Sequence, residues 1–136
     1  MKLGNKEIKQ IKIVFDVEKQ RYDTVGDYEE TNDEIIIKIL KLSTAAQVAV
    51  AIHELVEVIL CKLTGIDLQA IDKFDIEYED ARSKNIKAPC GCVIQAEPGN
   101  DIHAPYYKQH QIATKFEYEI LCQIAKDLYN KEIEQS

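Results

Sequence analysis

Residues 44–64, TAAQVAVAIHELVEVILCKLT, are the longest apolar stretch of the chain and decide its fold. They contain no proline or glycine, and they follow Ser43, which like Thr44 can cap the N-terminus of a helix. Gly65 comes next, and glycine is common where helices end. Apolar side chains occur at nearly every position around such a helix, which is typical of a helix buried in a small domain. We therefore predict a central buried helix about 30 Å long.

Strands are predicted before this helix. Residues 8–15 and Glu34–Leu40 are rich in isoleucine and valine, and we expect them to pair as antiparallel strands. A third short strand is expected near residues 22–29.

Helices are predicted after the central one. Residues 67–81 have apolar side chains on one side, and Pro105 fits the first turn of a last helix that extends to about residue 133. We expect Ile120, Leu121 and Ile124 to continue its buried stripe. The predicted fold is a single α+β domain over residues 1–136, with a small N-terminal antiparallel sheet packed on the central helix and the long C-terminal helix.

Composition excludes several classes of partner. The chain has 24 acidic and 17 basic residues and a formal charge of −7, which argues against a nucleic-acid-binding surface. His53, Glu54 and Glu57 interrupt the central stretch, so it is not expected to span a membrane. The first ten residues lack the apolar segment of an export signal. We predict a cytoplasmic protein that binds neither nucleic acid nor membrane, and composition leaves its oligomeric state open.

The four cysteines are expected to be free thiols, as is usual without an export signal. Their spacing differs from the two Cys-x-x-Cys pairs of many four-cysteine zinc sites, because Cys90 and Cys92 are separated by one residue only. We interpret this pair as an exposed turn. Cys61 and Cys122 lie in helical apolar patterns, where a thiol usually serves as a small core side chain.

Ionisable side chains inside the central helix indicate a metal site. Burying an unpaired charge costs several kcal/mol, so such residues need a compensating partner. His53 and Glu57 are four residues apart and therefore lie on one face of the helix. Their spacing is that of the H-E-x-x-H motif with the second histidine replaced by glutamate. In that motif the outer residues bind zinc and the intervening glutamate, here Glu54, is the general base.

The last helix offers a second pair of such residues. His110 and Glu117 are about two turns apart and share a stripe that we expect to face the central helix. We therefore expect a metal site between the two helices, with His110 as the third ligand. Asp75, Glu117 and His103 are the candidate outer partners or alternative ligands.

Four segments together resemble a family of small phage and prophage proteins described as zincin-like, zinc-dependent metallopeptidases. They are AIHELVEVILC at 51–61, DKFD at 72–75, EPGND at 97–101 and APYYKQHQIATKFE at 104–117. The resemblance covers roughly residues 34–121.

The resemblance implies that His53, Glu57 and His110 bind zinc and that Glu54 is the base. The family often has a histidine where this chain has Tyr107, so the resemblance implies no role for that position. On this hypothesis the protein is a zinc hydrolase, and the favoured class is a metallopeptidase. Glu54 would take a proton from a metal-activated water. Its partner would be a peptide or protein substrate, bound as an added strand along Glu34–Leu40.

Two alternatives stay open at this point. The zinc would be structural if Asp75, Glu117 or His103 supplied a fourth protein ligand, and the protein would then be a binding module such as an inhibitor or adaptor. Alternatively, Glu54-x-x-Glu57 and Asp72-x-x-Asp75 resemble the magnesium-binding carboxylates of the all-α MazG-like nucleotide pyrophosphohydrolases.

Overall fold

The fold is α+β, as the order of predicted elements indicated. We describe it from a computed structural model, which covers residues 1–135. The strands precede all three helices along the chain. The strands are β1 (Lys2–Leu3), β2 (Lys6–Glu7), β3 (Gln10–Val17), β4 (Gly26–Glu30) and β5 (Glu34–Leu40). The helices are α1 (Thr44–Leu63), α2 (Leu68–Ser83) and α3 (Tyr107–Gln135), with a short 3-10 turn at Pro98–Asn100.

The main sheet is mixed, with the order β3-β5-β4. β4 pairs with β5 in the antiparallel direction, and the predicted third strand is thereby confirmed. β3 and β5 pair in parallel, with Ile11 opposite Ile35, so the expected antiparallel pairing of these two long strands was wrong. The reason is topological: β4 lies between them in sequence and reverses the chain, and a second reversal returns β5 to the direction of β3.

β5 is the central strand of this sheet and carries the core. Ile35, Ile37 and Ile39 alternate along it and are fully buried, and they share a core cluster with Ala51 and Val58 of α1. Burying each such side chain contributes roughly 1.5–3 kcal/mol. Because β5 has a neighbour on both sides, it has no free edge, and the expectation that a substrate strand pairs with it was wrong.

α1 lies between the sheet and α3. Ser43 caps its N-terminus, accepting a hydrogen bond from the Ala46 amide at 3.3 Å. Gly65 follows its C-terminus with φ +75°, a conformation that glycine adopts without steric cost. By length and composition alone α1 could cross a membrane, but it packs against both the sheet and α3, as the core helix of a folded domain also does.

α3 is only partly covered by the rest of the molecule. Its first half packs on α1, with His110 and Ala113 buried. Ile120, Leu121 and Ile124 are half-buried, so the predicted buried stripe is weaker than expected. Beyond them the helix is largely exposed, with Leu128 at 59% and Tyr129 at 62% of their surface.

Candidate metal centre

Three potential ligand atoms meet between α1 and α3. Glu57 Oε2 lies 3.0 Å from His53 Nε2 and 2.8 Å from His110 Nδ1. The two histidine nitrogens are 3.2 Å apart. All three residues are buried, with 4–5% of their surface exposed. The structure thus brings together the three residues that the sequence suggested as metal ligands, which we call the helix cluster.

Close packing around His110 makes this convergence possible. Ala113, one turn further along α3, is completely buried and lets the helix approach its neighbour. On the opposite side of the ring, Gly99 lies so close that an added Cβ would collide with the imidazole. Gly99, in the E-P-G-N-D segment, therefore leaves the space that the His110 ring occupies.

Carboxylates and a hydroxyl contact the outer sides of all three residues. Glu117 Oε1 lies 2.8 Å from His53 Nδ1 and forms an ion pair with it when the imidazole is protonated. Glu97 Oε2 is 3.1 Å from His110 Nε2. Tyr28 donates its hydroxyl to Glu57 Oε1 at 3.0 Å. Carboxylates behind histidine ligands orient the ring and raise its basicity, as is usual in zinc sites.

Electrostatics at the helix cluster favour charged side chains despite burial. Burial alone would lower the pKa of His53, but Glu117 and Glu57 outweigh it and raise that pKa to about 11. The pKa of His110 rises to about 9, because Glu57 and Glu97 overcome the same effect of burial. Burial would raise the pKa of Glu57, yet His110 and His53 bring it down to about 2. Glu57 is therefore an anion, the form that binds a cation.

Glu54 lies beside the helix cluster but outside it. Its side chain lines the same cavity and packs against β4, where a Cβ on Gly26 would come within 2.8 Å of Glu54 Oε1. Within residues 1–135 no hydrogen bond or ion pair ties this carboxylate down. Burial first, and Glu57 next, hold its pKa well above the usual value. Glu54 thus has no hydrogen-bond or ion-pair partner among the described residues, and its role as the base stays a prediction.

The other predicted partners separate into different surroundings. Glu117 contacts His53 from outside, as an outer partner. Asp75 lines the cavity but accepts hydrogen bonds from Tyr106 at 2.6 Å and Tyr22 at 3.0 Å. Burial raises the pKa of Asp75 to about 7, although these two hydrogen bonds oppose the effect. His103 is not at this site: its ring contacts Asp101 in the loop before α3.

The helix cluster opens into a cavity of about 390 Å³. β4 and the segment before it, α2 and the loop before α3 form its other walls, which include Tyr22, Asp72, Glu79, Arg82, Glu97 and Tyr106. Sequence reasoning did not assign Glu97, Tyr28 or Tyr106 to the site. The E-P-G-N-D and A-P-Y segments did mark Glu97 and Tyr106, but only pairing in space shows which ligand each one contacts.

The donor set fits zinc better than magnesium. Two imidazoles and one carboxylate are ligands that zinc accepts, whereas magnesium prefers oxygen. The carboxylates of the magnesium hypothesis do not converge within the described chain: Asp72 forms an ion pair with Arg21 at 2.9 Å, and Asp75 is held by tyrosines. No fourth protein ligand joins the helix cluster in residues 1–135.

No protein-family model, curated protein or solved structure that we compared with this chain matches it. The family resemblance noted from the sequence therefore stays a prediction, and the functional argument depends on the geometry of the cavity.

Proposed function

We propose that this chain is a zinc-dependent hydrolase of the metallopeptidase type that works in the cytoplasm. The proposal is based on one observation. Three ligand atoms converge, and the same cavity is lined by Glu54, whose carboxylate has no hydrogen-bond or ion-pair partner among residues 1–135. Structural zinc sites generally use four protein ligands, whereas catalytic sites use three and keep one position open. The set of three supports a catalytic site.

His53, Glu57 and His110 would hold the metal. Bound there, zinc supplies a Lewis acid that polarises a carbonyl group and acidifies water. Both histidines have their second ring nitrogen beside a carboxylate, Glu117 or Glu97, which fixes the ring orientation before any metal arrives. Tyr28 fixes the other oxygen of Glu57 in the same way.

Glu54 is the residue that would move the proton. Its carboxylate has no hydrogen-bond or ion-pair partner in the described part of the chain, and in the H-E-x-x-H arrangement the glutamate at this position takes a proton from water and delivers it to the leaving amine. Gly26 allows the carboxylate to lie against β4, because any larger residue there would displace it.

Substrate is held by side chains of the cavity rather than by strand addition. β4 is the sheet edge nearest the site, but its main chain is already bonded: the Tyr28 carbonyl accepts from Arg21 at 3.2 Å, and the Tyr28 amide donates to Asp27 at 2.9 Å. The Gly26 carbonyl accepts from Thr24 at 2.7 Å. An extended peptide would have to displace these contacts, so a short segment inserted into the cavity is favoured.

Hydrolysis of a peptide library by zinc-loaded protein, followed by mass spectrometry, tests the proposal. Glu54→Gln should keep its zinc and its thermal stability while its rate falls about 10²–10⁴-fold, the usual effect of removing a general base. Glu119→Gln, on the exposed side of α3, is the matched control and should retain full activity. A parent protein that binds zinc yet cleaves no peptide or amide in the library would overturn the proposal in favour of a structural zinc.

A further inference from the structure

The loop between α2 and α3 contains a second set of ligand-type side chains that the proposed hydrolase does not use. Cys90, Cys92, Asp101 and His103 each place one ligand atom within 4.8 Å of the others. We call this set the loop cluster. It combines two thiols, an imidazole and a carboxylate, and it shares no residue with the helix cluster.

Direct contacts join the two halves of the loop at this point. Cys90 donates its thiol to Asp101 Oδ2 at 3.2 Å, and Cys92 Sγ lies 3.3 Å from His103 Nδ1. His103 Nδ1 is 3.2 Å from Asp101 Oδ1. Each cysteine is thus paired with a residue eleven positions further along the chain.

Two tight turns bring these side chains to one side of the loop. Gly91 has φ +85°, and its amide donates to the Ala88 carbonyl at 2.7 Å, while the Ala88 amide donates to the Cys92 carbonyl at 3.0 Å. The His103 amide donates to Asp101 Oδ1 at 2.8 Å, which folds the second half back. The single residue between the cysteines is a glycine, as this left-handed position favours.

Asp101 is the residue least explained without a ligand. It is 2% exposed, yet within residues 1–135 its only ion-pair partner is His103, which is charged only when protonated. A buried carboxylate usually needs a permanent cation or a metal to compensate its desolvation. The Cys90 thiol gives Asp101 a hydrogen bond but no positive charge, and a thiolate there would add negative charge.

We propose that Cys90, Cys92, Asp101 and His103 bind a second zinc ion. Thiolate and imidazole ligands select zinc over magnesium or calcium, and an Asp oxygen is a common zinc ligand. Four protein ligands complete a tetrahedral site and leave no open position, so this zinc is structural. The sequence spacing argued against a Cys-x-x-Cys site, but here the second pair of ligands is Asp101-x-His103 rather than cysteine.

The position of the loop cluster gives the second zinc a role at the first site. The loop also carries Glu97, which contacts His110 Nε2 at 3.1 Å, and Gly99, where an added Cβ would collide with the His110 ring. α2 holds the middle of the loop, where Arg82 donates to the carbonyls of Gln95 and Ala96 at 2.6 Å and 3.1 Å. A zinc ion bound by residues from both ends of the loop would restrain the loop further and keep Glu97 beside His110.

Zinc content of chelator-free protein, measured by elemental mass spectrometry, tests this site separately from the helix cluster. We expect two zinc ions per chain in the parent. A double variant with Cys90→Ser and Cys92→Ser should keep one, and His110→Ala should keep the other. Cys122→Ser removes an exposed thiol outside the cluster and should keep both. The two sites can therefore fail independently.

Cobalt substitution identifies the ligands. The parent should show the near-ultraviolet charge-transfer absorption of a cobalt–thiolate bond, and the double cysteine variant should lose it while Cys122→Ser retains it. Cys90 is exposed and Cys92 is half-buried, and neither belongs to a core cluster, so both can be replaced without loss of core packing. Far-ultraviolet circular dichroism checks that the variants fold. Equal zinc content in the parent and the double variant, no thiolate absorption, or a Cys90–Cys92 disulfide in native protein would overturn the proposal.

Discussion

The helix cluster and the loop cluster both combine imidazole with carboxylate, but only the loop cluster contains thiols, and the surroundings of the two differ strongly. The helix cluster is buried between α1 and α3, and each of its residues has a further polar contact behind it. The loop cluster lies near the surface, where the His103 side chain is 57% exposed. The helix cluster is thus held by packed helices without a metal, whereas the conformation of the loop cluster would be restrained further by the zinc ion proposed for it. The helix cluster should therefore be the less sensitive of the two to loop motion, and the more sensitive to loss of a single ligand.

The largest effect is expected for His110→Ala. It removes one of three ligands at the helix cluster, so zinc affinity there should fall by more than the about 10–100-fold that loss of an outer partner costs. The stabilisation that zinc gives to folding should be lost with it, since metal binding and folding are coupled. Calorimetric zinc titration and thermal unfolding check this, with Lys108→Ala on the exposed side of the same helix as control. Unchanged affinity in His110→Ala would place the third ligand elsewhere.

Glu57→Gln should come next, and it should contrast with Glu54→Gln. The amide is a poorer partner for a dication than the carboxylate between the two histidines, so zinc affinity should fall by at least about 10-fold. Glu54→Gln should change zinc affinity little, because Glu54 is not one of the converging ligands. The same titrations measure both variants. If Glu54→Gln removes the metal and Glu57→Gln does not, our assignment of the helix face is wrong.

The outer carboxylates should give smaller and unequal effects. Glu117→Gln should weaken zinc binding about 10–100-fold, because His53 loses the carboxylate behind Nδ1. Glu97→Gln should weaken it less, since the Glu97 side chain is 55% exposed and that of Glu117 is 23% exposed. Zinc competition against a chromophoric chelator resolves the two. Equal affinities in parent and Glu117→Gln would remove the support that we assign to this contact.

The smallest effect on metal binding is expected for Gly99→Ala. The added methyl group would push the His110 ring away from its favoured rotamer, at a cost of about 0.5–1.5 kcal/mol and hence at most about a tenfold loss of affinity. Gly65→Ala is the control: its left-handed position should cost about 1–2 kcal/mol of stability without changing zinc binding. Loss of zinc affinity in Gly65→Ala but not in Gly99→Ala would contradict the close contact at His110.

The helix spacing made much of the site predictable. His53 and Glu57 share a face by the geometry of any α-helix, and the apolar surroundings of both helices indicated that His110 would meet them. The sequence left open whether Glu117 is a ligand or an outer partner. Its contact with His53 Nδ1 depends on how the two helices pack against each other, which the spacing within one helix does not determine. The pairing of Glu97 with His110 depends on a loop that no periodic pattern describes.

The strand order and the loop cluster could not be obtained in this way. The direction of β3 relative to β5 depends on where β4 inserts, and periodicity along a strand says nothing about its neighbours. His103 was a candidate for the wrong site for a related reason. Its position relative to Cys92 is set by turns at Gly91 and Asp101, and these are conformations of single residues rather than repeats.

The most direct test of the account is anomalous diffraction from crystals of zinc-loaded protein, collected on both sides of the zinc absorption edge. We predict an anomalous peak between His53 Nε2, Glu57 Oε2 and His110 Nδ1, with no fourth protein ligand and with its open side facing Glu54. A peak at that position with Asp75 or another side chain as a fourth protein ligand would make the site structural and contradict the proposed hydrolase. Zinc bound to the protein with no peak among these three residues would contradict the metal centre itself.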